Sequence, residues 1–252
     1  MRNQEHWLPS KYIYRRGHLM ASRDPAEVSV GDRLLGDRID AFYDRNLRHY
    51  AAGRLIDLGC GRVPLYATYR EFVAEVICVD WGNTSHKNSH LDYGCDLTQA
   101  LPFTDGEFHT IVLSDVLEHI PEPEALWLEM SRILSPGGTL LLNVPFFYRL
   151  HEEPYDFYRY TEHALRRFAE RTGFEVVALE PAGGTPEILA DLLGRHLRFV
   201  PIVGQALTSA LQALVSVFVA TAPGRRISIS TGRMFPLGYF LIARKVGHPQ
   251  AA

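Results

Sequence analysis

The chain has 252 residues, with 26 Lys plus Arg against 29 Asp plus Glu for a formal charge of −3, and 46% hydrophobic positions. That length can bury one large core, and this apolar content with balanced charge excludes a mainly disordered chain. With no basic excess to hold a phosphate backbone, general DNA or RNA binding is not expected. Three cysteines, Cys60, Cys78 and Cys95, form no CxxC metal pair, and an odd count suits a reducing compartment. Residues 1–22 mix Arg, Glu, His and Trp without an apolar signal-peptide run, so the expected location is cytoplasmic.

The first 30 residues, with Trp7, Tyr12 and Tyr14, read as a cap or arm. Asp32–Tyr50 carries Leu34, Leu35, Ile39, Phe42, Tyr43 and Leu47, the pattern of an amphipathic lead-in helix. Four apolar runs follow: 54–58, 75–80, 110–113 and 139–144. None alternates cleanly, as expected of strands covered on both faces. Between the third and fourth, Pro123 opens a helix with Leu126, Met130, Ile133 and Leu134 on one face, and Ser135-Pro136-Gly137-Gly138 closes it. Thr161 is placed to N-cap another helix reaching Gly173, and 174–180 reads as a further strand. Alternating strands and helices predict an α/β fold with a mainly parallel sheet.

Residues 199–224 contain no charge, but Gln205, Ser209, Gln212 and Ser216 recur at helical spacing. A polar stripe of this kind suits internal packing, a homodimer seam or peripheral membrane contact better than a bilayer span. The expected division is a cap and lead-in helix over 1–50 and a main domain over 51–246, with an apolar helical insertion near 186–224. A tail follows over 247–252.

Ligands bind open parallel sheets at the carboxyl ends of strands. The turn Asp57-Leu58-Gly59-Cys60-Gly61 sits at such an end, and Asp80 closes the next strand, placed to accept from ribose hydroxyls. A dinucleotide fingerprint wants a third glycine where this chain has Pro64, and an acid at Asp57 sits poorly beside a pyrophosphate. The pattern therefore favours S-adenosylmethionine over a nicotinamide cofactor. Two other readings stay open: a nicotinamide-dependent oxidoreductase on the same type of sheet, and a non-catalytic cofactor-binding partner subunit.

These residues, with Asp96-Leu97 before Leu101-Pro102-Phe103 and 113–119 before Leu134-Ser135-Pro136-Gly137-Gly138, resemble a class I S-adenosylmethionine-dependent methyltransferase. The similarity is to the ubiquinone/menaquinone-biosynthesis type of domain and covers roughly Gly53 to Val177. It implies a Rossmann-like, seven-stranded, mainly parallel sheet flanked by helices, with its last strand near 239–245. It also implies that Gly59, Cys60 and Gly61 contact the aminoacyl part of the cofactor, with Asp57 supporting the turn. Asp80 would hold the ribose, Trp81 and Leu97 the adenine faces, Asp96 the adenine amino group, and Ser114 the methionine portion. S-adenosylhomocysteine would be the product. One departure is Val63, where a glycine is often found; a branched residue there is expected to alter the local turn.

The acceptor is sought in residues 145–160, too polar and aromatic for a neutral connector. His151 is the first candidate for general base and His119 the second, since imidazole titrates near neutrality. Phe147, Tyr148, Tyr155, Asp156, Tyr158, Arg159 and Tyr160 are the candidate acceptor-binding residues, against an alternative of loop packing. Asp115, Glu118 and His119 resemble a set that holds a divalent ion in some relatives, but the reading taken places no metal here. The loop is also similar to that of methyltransferases associated with surface glycan or glycolipid assembly. The expected activity is methyl transfer to a small-molecule or glycosyl-type acceptor, at oxygen.

Overall fold

A computed structural model describes residues 1–15, 17–82 and 88–247; apart from Gly247, the tail expected over 247–252 lies outside them. The chain opens with an antiparallel hairpin, β1 (Tyr12–Arg15) and β2 (His18–Ala21), laid against α1 (Arg33–Tyr50). Close approach is possible because Gly36 presents no side chain to Ala21. Then come β3 (Arg54–Leu58), the short α2 (Tyr66–Tyr69), β4 (Glu75–Asp80), β5 (Tyr93–Gly94) and β6 (Phe108–Ser114). After α3 (Pro123–Ile133), β7 (Leu134–Pro145), α4 (Glu162–Arg171) and β8 (Phe174–Pro181) run in turn. Helices α5 (Thr185–Leu197), α6 (Gly204–Ala220) and α7 (Ala222–Gly232) precede the last strand, β9 (Gly238–Lys245).

Seven strands form one sheet in the order β5-β4-β3-β6-β7-β9-β8, parallel except for β9, which runs antiparallel to both neighbours. Successive side chains along each strand enter opposite layers. Ile56 and Leu58 pack with Ile111, Leu113, Leu140 and Leu142 under α3 and α4, around Trp127 and Met130. Leu55, Val112 and Leu141 pack on the other face under α1, with Phe42, Tyr43 and Leu47. Burial on both faces explains why the strands read as unbroken apolar runs. Helix α4 starts where the sequence places its cap, with the Thr161 hydroxyl accepting from Ala164 N–H.

The chain leaves β3 toward β4 and β5 on one side, then returns to β6 on the other. This reversal opens a crevice at the carboxyl ends of β3 and β6, beside Gly59 and Asp115.

Candidate active site

The turn after β3 is held from three sides. The amides of Gly59 and Cys60 both donate to Val79 O, at 2.8 and 3.0 Å. Gly61 N–H donates to Asp80 Oδ2 at 2.9 Å, and Asp80 Oδ1 accepts from Trp81 N–H at 2.7 Å. Asp57 lies beneath, almost fully buried, accepting from Tyr69 O–H at 2.8 Å; burial pushes its carboxyl up to about 7. Gly59 has φ +70°, and a Cβ there would lie 2.4 Å from Val116, so only glycine fits. Gly61 has φ +52°, but its missing Cβ would face open space with nothing within 4 Å. That opening lets a ligand reach the backbone, so the turn fits an aminoacyl group.

Val63 stands where a glycine is often found. It adopts φ +53°, the left-handed conformation that glycine favours, and is fully buried. Its amide donates to Cys60 O at 2.8 Å, and its carbonyl accepts from the Trp7 indole at 3.0 Å. The N-terminal arm thus clamps the turn in place.

Trp81 follows Asp80 and meets Tyr155 edge to face at 5.2 Å, so the 145–160 loop reaches over the β4 end. Asp96 is exposed and closes a local turn by accepting from Thr98 N–H and O–H, while Leu97 beside it is buried. Ser114 ends β6, level with Asn143 of β7. The next residue, Asp115, has φ +53° and accepts from Asn143 Nδ2 at 2.6 Å, while Asn143 Oδ1 accepts from Tyr43 O–H at 2.8 Å. Helix α1 is therefore tied through β7 to the lip of the crevice.

The 3-10 turn Leu117–His119 brings Glu118 to the centre of the site. Glu118 is completely buried, and among the described residues neither carboxylate oxygen has a hydrogen-bond partner. Burial, reinforced by Asp115, pushes its carboxyl well above the usual range. Both His119 Nε2 and His151 Nε2 stand 3.8 Å from Glu118 Oε1. His119 Nδ1 lies 2.9 Å from Tyr155 O, an acceptor, which puts the proton on Nδ1 and leaves the Nε2 lone pair free. His151 Nδ1 lies 3.3 Å from Asp156 Oδ2, and burial followed by His119 holds its imidazole below its ordinary value. Glu118, His119 and His151 offer donor atoms within 4.8 Å of one another, close enough to share a divalent cation, although the sequence reading placed no metal here; His151, rather than Asp115, completes the set.

The loop is stitched to this turn. Phe157 and Tyr158 amides donate to Glu118 O, and the Tyr158 and Tyr160 hydroxyls donate to Pro121 O and Leu117 O. Arg159 grips Asp156 through two bonds of 2.6 and 2.8 Å, which holds that carboxyl well below the usual range, and Asp156 in turn accepts from His151 N–H. A cavity of about 460 Å³ opens beside the cluster, lined by His119, His151, Glu118 and Tyr148 on one side. Lys11, Glu27, Ser29 and Asp32 line the other. Among the acceptor candidates only Tyr148 lies on this wall. Phe147 and Tyr155 are part-exposed elsewhere, Tyr160 is buried, and Asp156 and Arg159 brace His151 from behind. Lys11, Glu27 and Asp32 were missed because no periodicity marks them; only docking of the arm on α1 brings them to the cavity.

Comparison with known proteins agrees with this geometry. Residues 31–179 match the methyltransferase domain family. Ubiquinone biosynthesis O-methyltransferase of Xanthomonas oryzae is 29% identical over 103 residues, 37% of this chain and 43% of that protein. The same enzyme of Chromobacterium violaceum is 31% identical over 119 residues, 42% and 49% of the two. The chain thus spans less than half the length of these curated relatives. Among solved structures, an S-adenosylmethionine-dependent methyltransferase of Mesorhizobium loti superposes with a TM-score of 0.54 at 15% identity, over 84% of this chain and all of that one. Phosphoethanolamine N-methyltransferase 2 of Haemonchus contortus, in complex with S-adenosyl-L-methionine, gives 0.53 at 18% identity, over 89% and 59%. With 31–179 matched, the chain belongs to the methyltransferase domain family, and it carries the class I fold of the S-adenosylmethionine-dependent methyltransferase it superposes on.

Proposed function

We propose that the protein methylates a hydroxyl oxygen of a polar, polyhydroxylated acceptor such as a glycosyl group, with His151 as general base. The carrying observation is the pair of histidines on the wall of a cavity lined mainly by ionisable and hydroxyl side chains. An apolar ring would desolvate those groups without offering them a partner, whereas a polyol can bond to them.

S-adenosylmethionine supplies an activated methyl group whose thioether leaving group needs no acid. Gly59, Cys60 and Gly61 would hold its aminoacyl part, with Asp57 bracing the turn and Ser114 beside the methionine chain. Asp80 would take the ribose, and Trp81, Asp96 and Leu97 the adenine. The protein's remaining task is alignment, exclusion of water and removal of the hydroxyl proton. His151 suits the last: it is neutral, oriented through Asp156 and Arg159, and open to the cavity. His119 stands ready behind it with a free Nε2. Homologues named O-methyltransferases support oxygen as the acceptor atom.

The unpartnered oxygens of Glu118 favour a second reading, in which Glu118, His119 and His151 hold a divalent cation against the acceptor oxygen. One experiment separates them: transfer of labelled methyl groups to a panel of free sugars, glycosides and phenols, with and without chelator. Transfer to sugars that survives chelation supports the base. Loss restored by a divalent cation supports the cation, and transfer only to phenols sinks the polyol acceptor.

A further inference from the structure

Helices α5, α6 and α7 pack together through small and polar side chains. Gly194 of α5 faces Thr208 and Gln212 of α6, and the Thr208 hydroxyl donates to Gly194 O at 2.9 Å. Ser228 and Gly232 of α7 abut Gly184, just before α5. Only Gly204, Thr208, Gln212 and Val219 are buried along the seventeen residues of α6. The large apolar side chains point the other way: Phe199 is 73% exposed, Leu214 68%, Val217 67%, and Ile202, between α5 and α6, fully. Small-residue contacts inside with branched apolar side chains outside are the pattern of helices adapted to lipid, and water would penalise such a surface. The polar stripe expected from the sequence is only partly realised, since Gln212 is inside while Gln205 is exposed.

No single helix among the described residues is long and apolar enough to cross a membrane; α6 and α7 qualify only together and are bent by 96°. Charge selects the partner. Every Asp and Glu lies within residues 1–191, while the remainder carries seven Arg and Lys and no acid. Arg198, Arg225, Arg226 and Arg233 are exposed on this unit, and none forms an ion pair among the described residues. A second copy would set these cations against their own kind, whereas anionic headgroups complement them.

We propose that α5–α7 forms a peripheral anchor that seats on an anionic lipid surface, with the apolar side chains in the acyl boundary and the arginines among the headgroups. The anchor is tied to the acceptor cavity. Gln212 accepts from Leu34 N–H at 3.0 Å and donates to Gly31 O at 3.1 Å, while Arg195 of α5 pairs with Asp32 on the cavity wall. Seating would hold the cavity beside the bilayer, where an amphipathic, lipid-linked acceptor presents its polar head.

Flotation of the full chain with phosphatidylglycerol–phosphatidylcholine vesicles, against pure phosphatidylcholine, tests this. Binding is expected only to the anionic vesicles. The Arg225→Gln/Arg226→Gln variant should partition about thirty-fold more weakly, the size expected for two basic groups at an anionic surface. Phe199→Ser/Ile202→Ser should bind at least tenfold more weakly. S-adenosylmethionine affinity measured on the same variants should not move, which separates failure of the anchor from failure of the catalytic reading. Wild-type protein that ignores anionic vesicles overturns the proposal. So does a dimer in sedimentation that dissociates with Phe199→Ser/Ile202→Ser while vesicle binding is absent.

Discussion

The rings of His119 and His151 meet edge to face with 4.7 Å between their centroids. Each contacts a different part of the loop: His119 Nδ1 bonds Tyr155 O, while His151 bonds Asp156 through its backbone amide and faces it with Nδ1 at 3.3 Å, and Arg159 in turn locks Asp156. Burial, followed by the neighbouring His119, holds the His151 imidazole below its ordinary value. A neutral imidazole facing the cavity is what removal of a hydroxyl proton requires.

The His151→Ala variant should therefore lose turnover by about 10²- to 10⁴-fold, the usual contribution of a positioned general base. Its S-adenosylmethionine affinity should stay within about twofold of wild type, because among the described residues no hydrogen bond joins His151 to the Gly59–Gly61 turn, which does not line the His151 cavity. Single-turnover kinetics with calorimetry on the same sample separates the two effects. Unchanged turnover would reduce His151 to a loop brace.

Asp80 carries a different prediction, because its two oxygens already serve the backbone amides of Gly61 and Trp81. Asp80→Ala removes both the proposed ribose acceptor and the support of Gly61, so the cofactor Kd should rise by about tenfold to a hundredfold. Asp80→Asn keeps one acceptor oxygen and should fall between. Calorimetry with S-adenosylmethionine and S-adenosylhomocysteine, with NAD as control, reads this directly. Equal affinity in all three proteins would place the ribose elsewhere.

The sheet was legible because parallel strands bury both faces, so 54–58, 75–80, 110–113 and 139–144 had to be unbroken apolar runs. The turn after β3 was legible through Gly59 and Gly61. What escaped was whatever long-range docking decides. The hairpin of Tyr12–Arg15 with His18–Ala21 has no turn signature strong enough to announce it, yet it carries Lys11 to the cavity rim. Tyr158 and Tyr160 looked like pocket residues because aromatic clusters serve packing and binding alike. Only their hydroxyl bonds to Pro121 and Leu117 show them bracing the loop.

Asp57 makes stability depend on pH in an unusual direction. Its folded value of about 7 lies above the unfolded value near 3.8 because burial disfavours the charge. Between about pH 4 and pH 7 the folded chain keeps a proton that the unfolded chain has lost. The stabilisation is complete below about pH 4 and is lost as pH rises, by at most about 1.4 kcal/mol per pH unit. Asp40, pushed up to about 8, acts with the same sign. Asp57→Asn can still accept from Tyr69 and carries no proton to lose. Urea unfolding should show its stability falling less steeply than that of wild type between about pH 5 and pH 7. Parallel slopes would mean that Asp57 is charged in the fold.

Val63 supplies the last prediction. A β-branched residue at φ +53° costs roughly 1–2 kcal/mol, which the buried side chain and the Trp7 indole bond offset. At an ordinary buried position alanine is the better replacement for valine, because glycine adds unfolded-state entropy. Here the order should invert. Val63→Ala loses packing and keeps the strain, whereas Val63→Gly loses packing and sheds it, so the glycine variant should be more stable by about 1 kcal/mol. Trp7→Phe should cost about 1 kcal/mol by removing the donor to Val63 O, and should weaken cofactor binding through the loosened turn. If alanine proves the more stable replacement, Val63 does not hold the left-handed conformation in solution, and the turn is set by Gly59 and Gly61 alone.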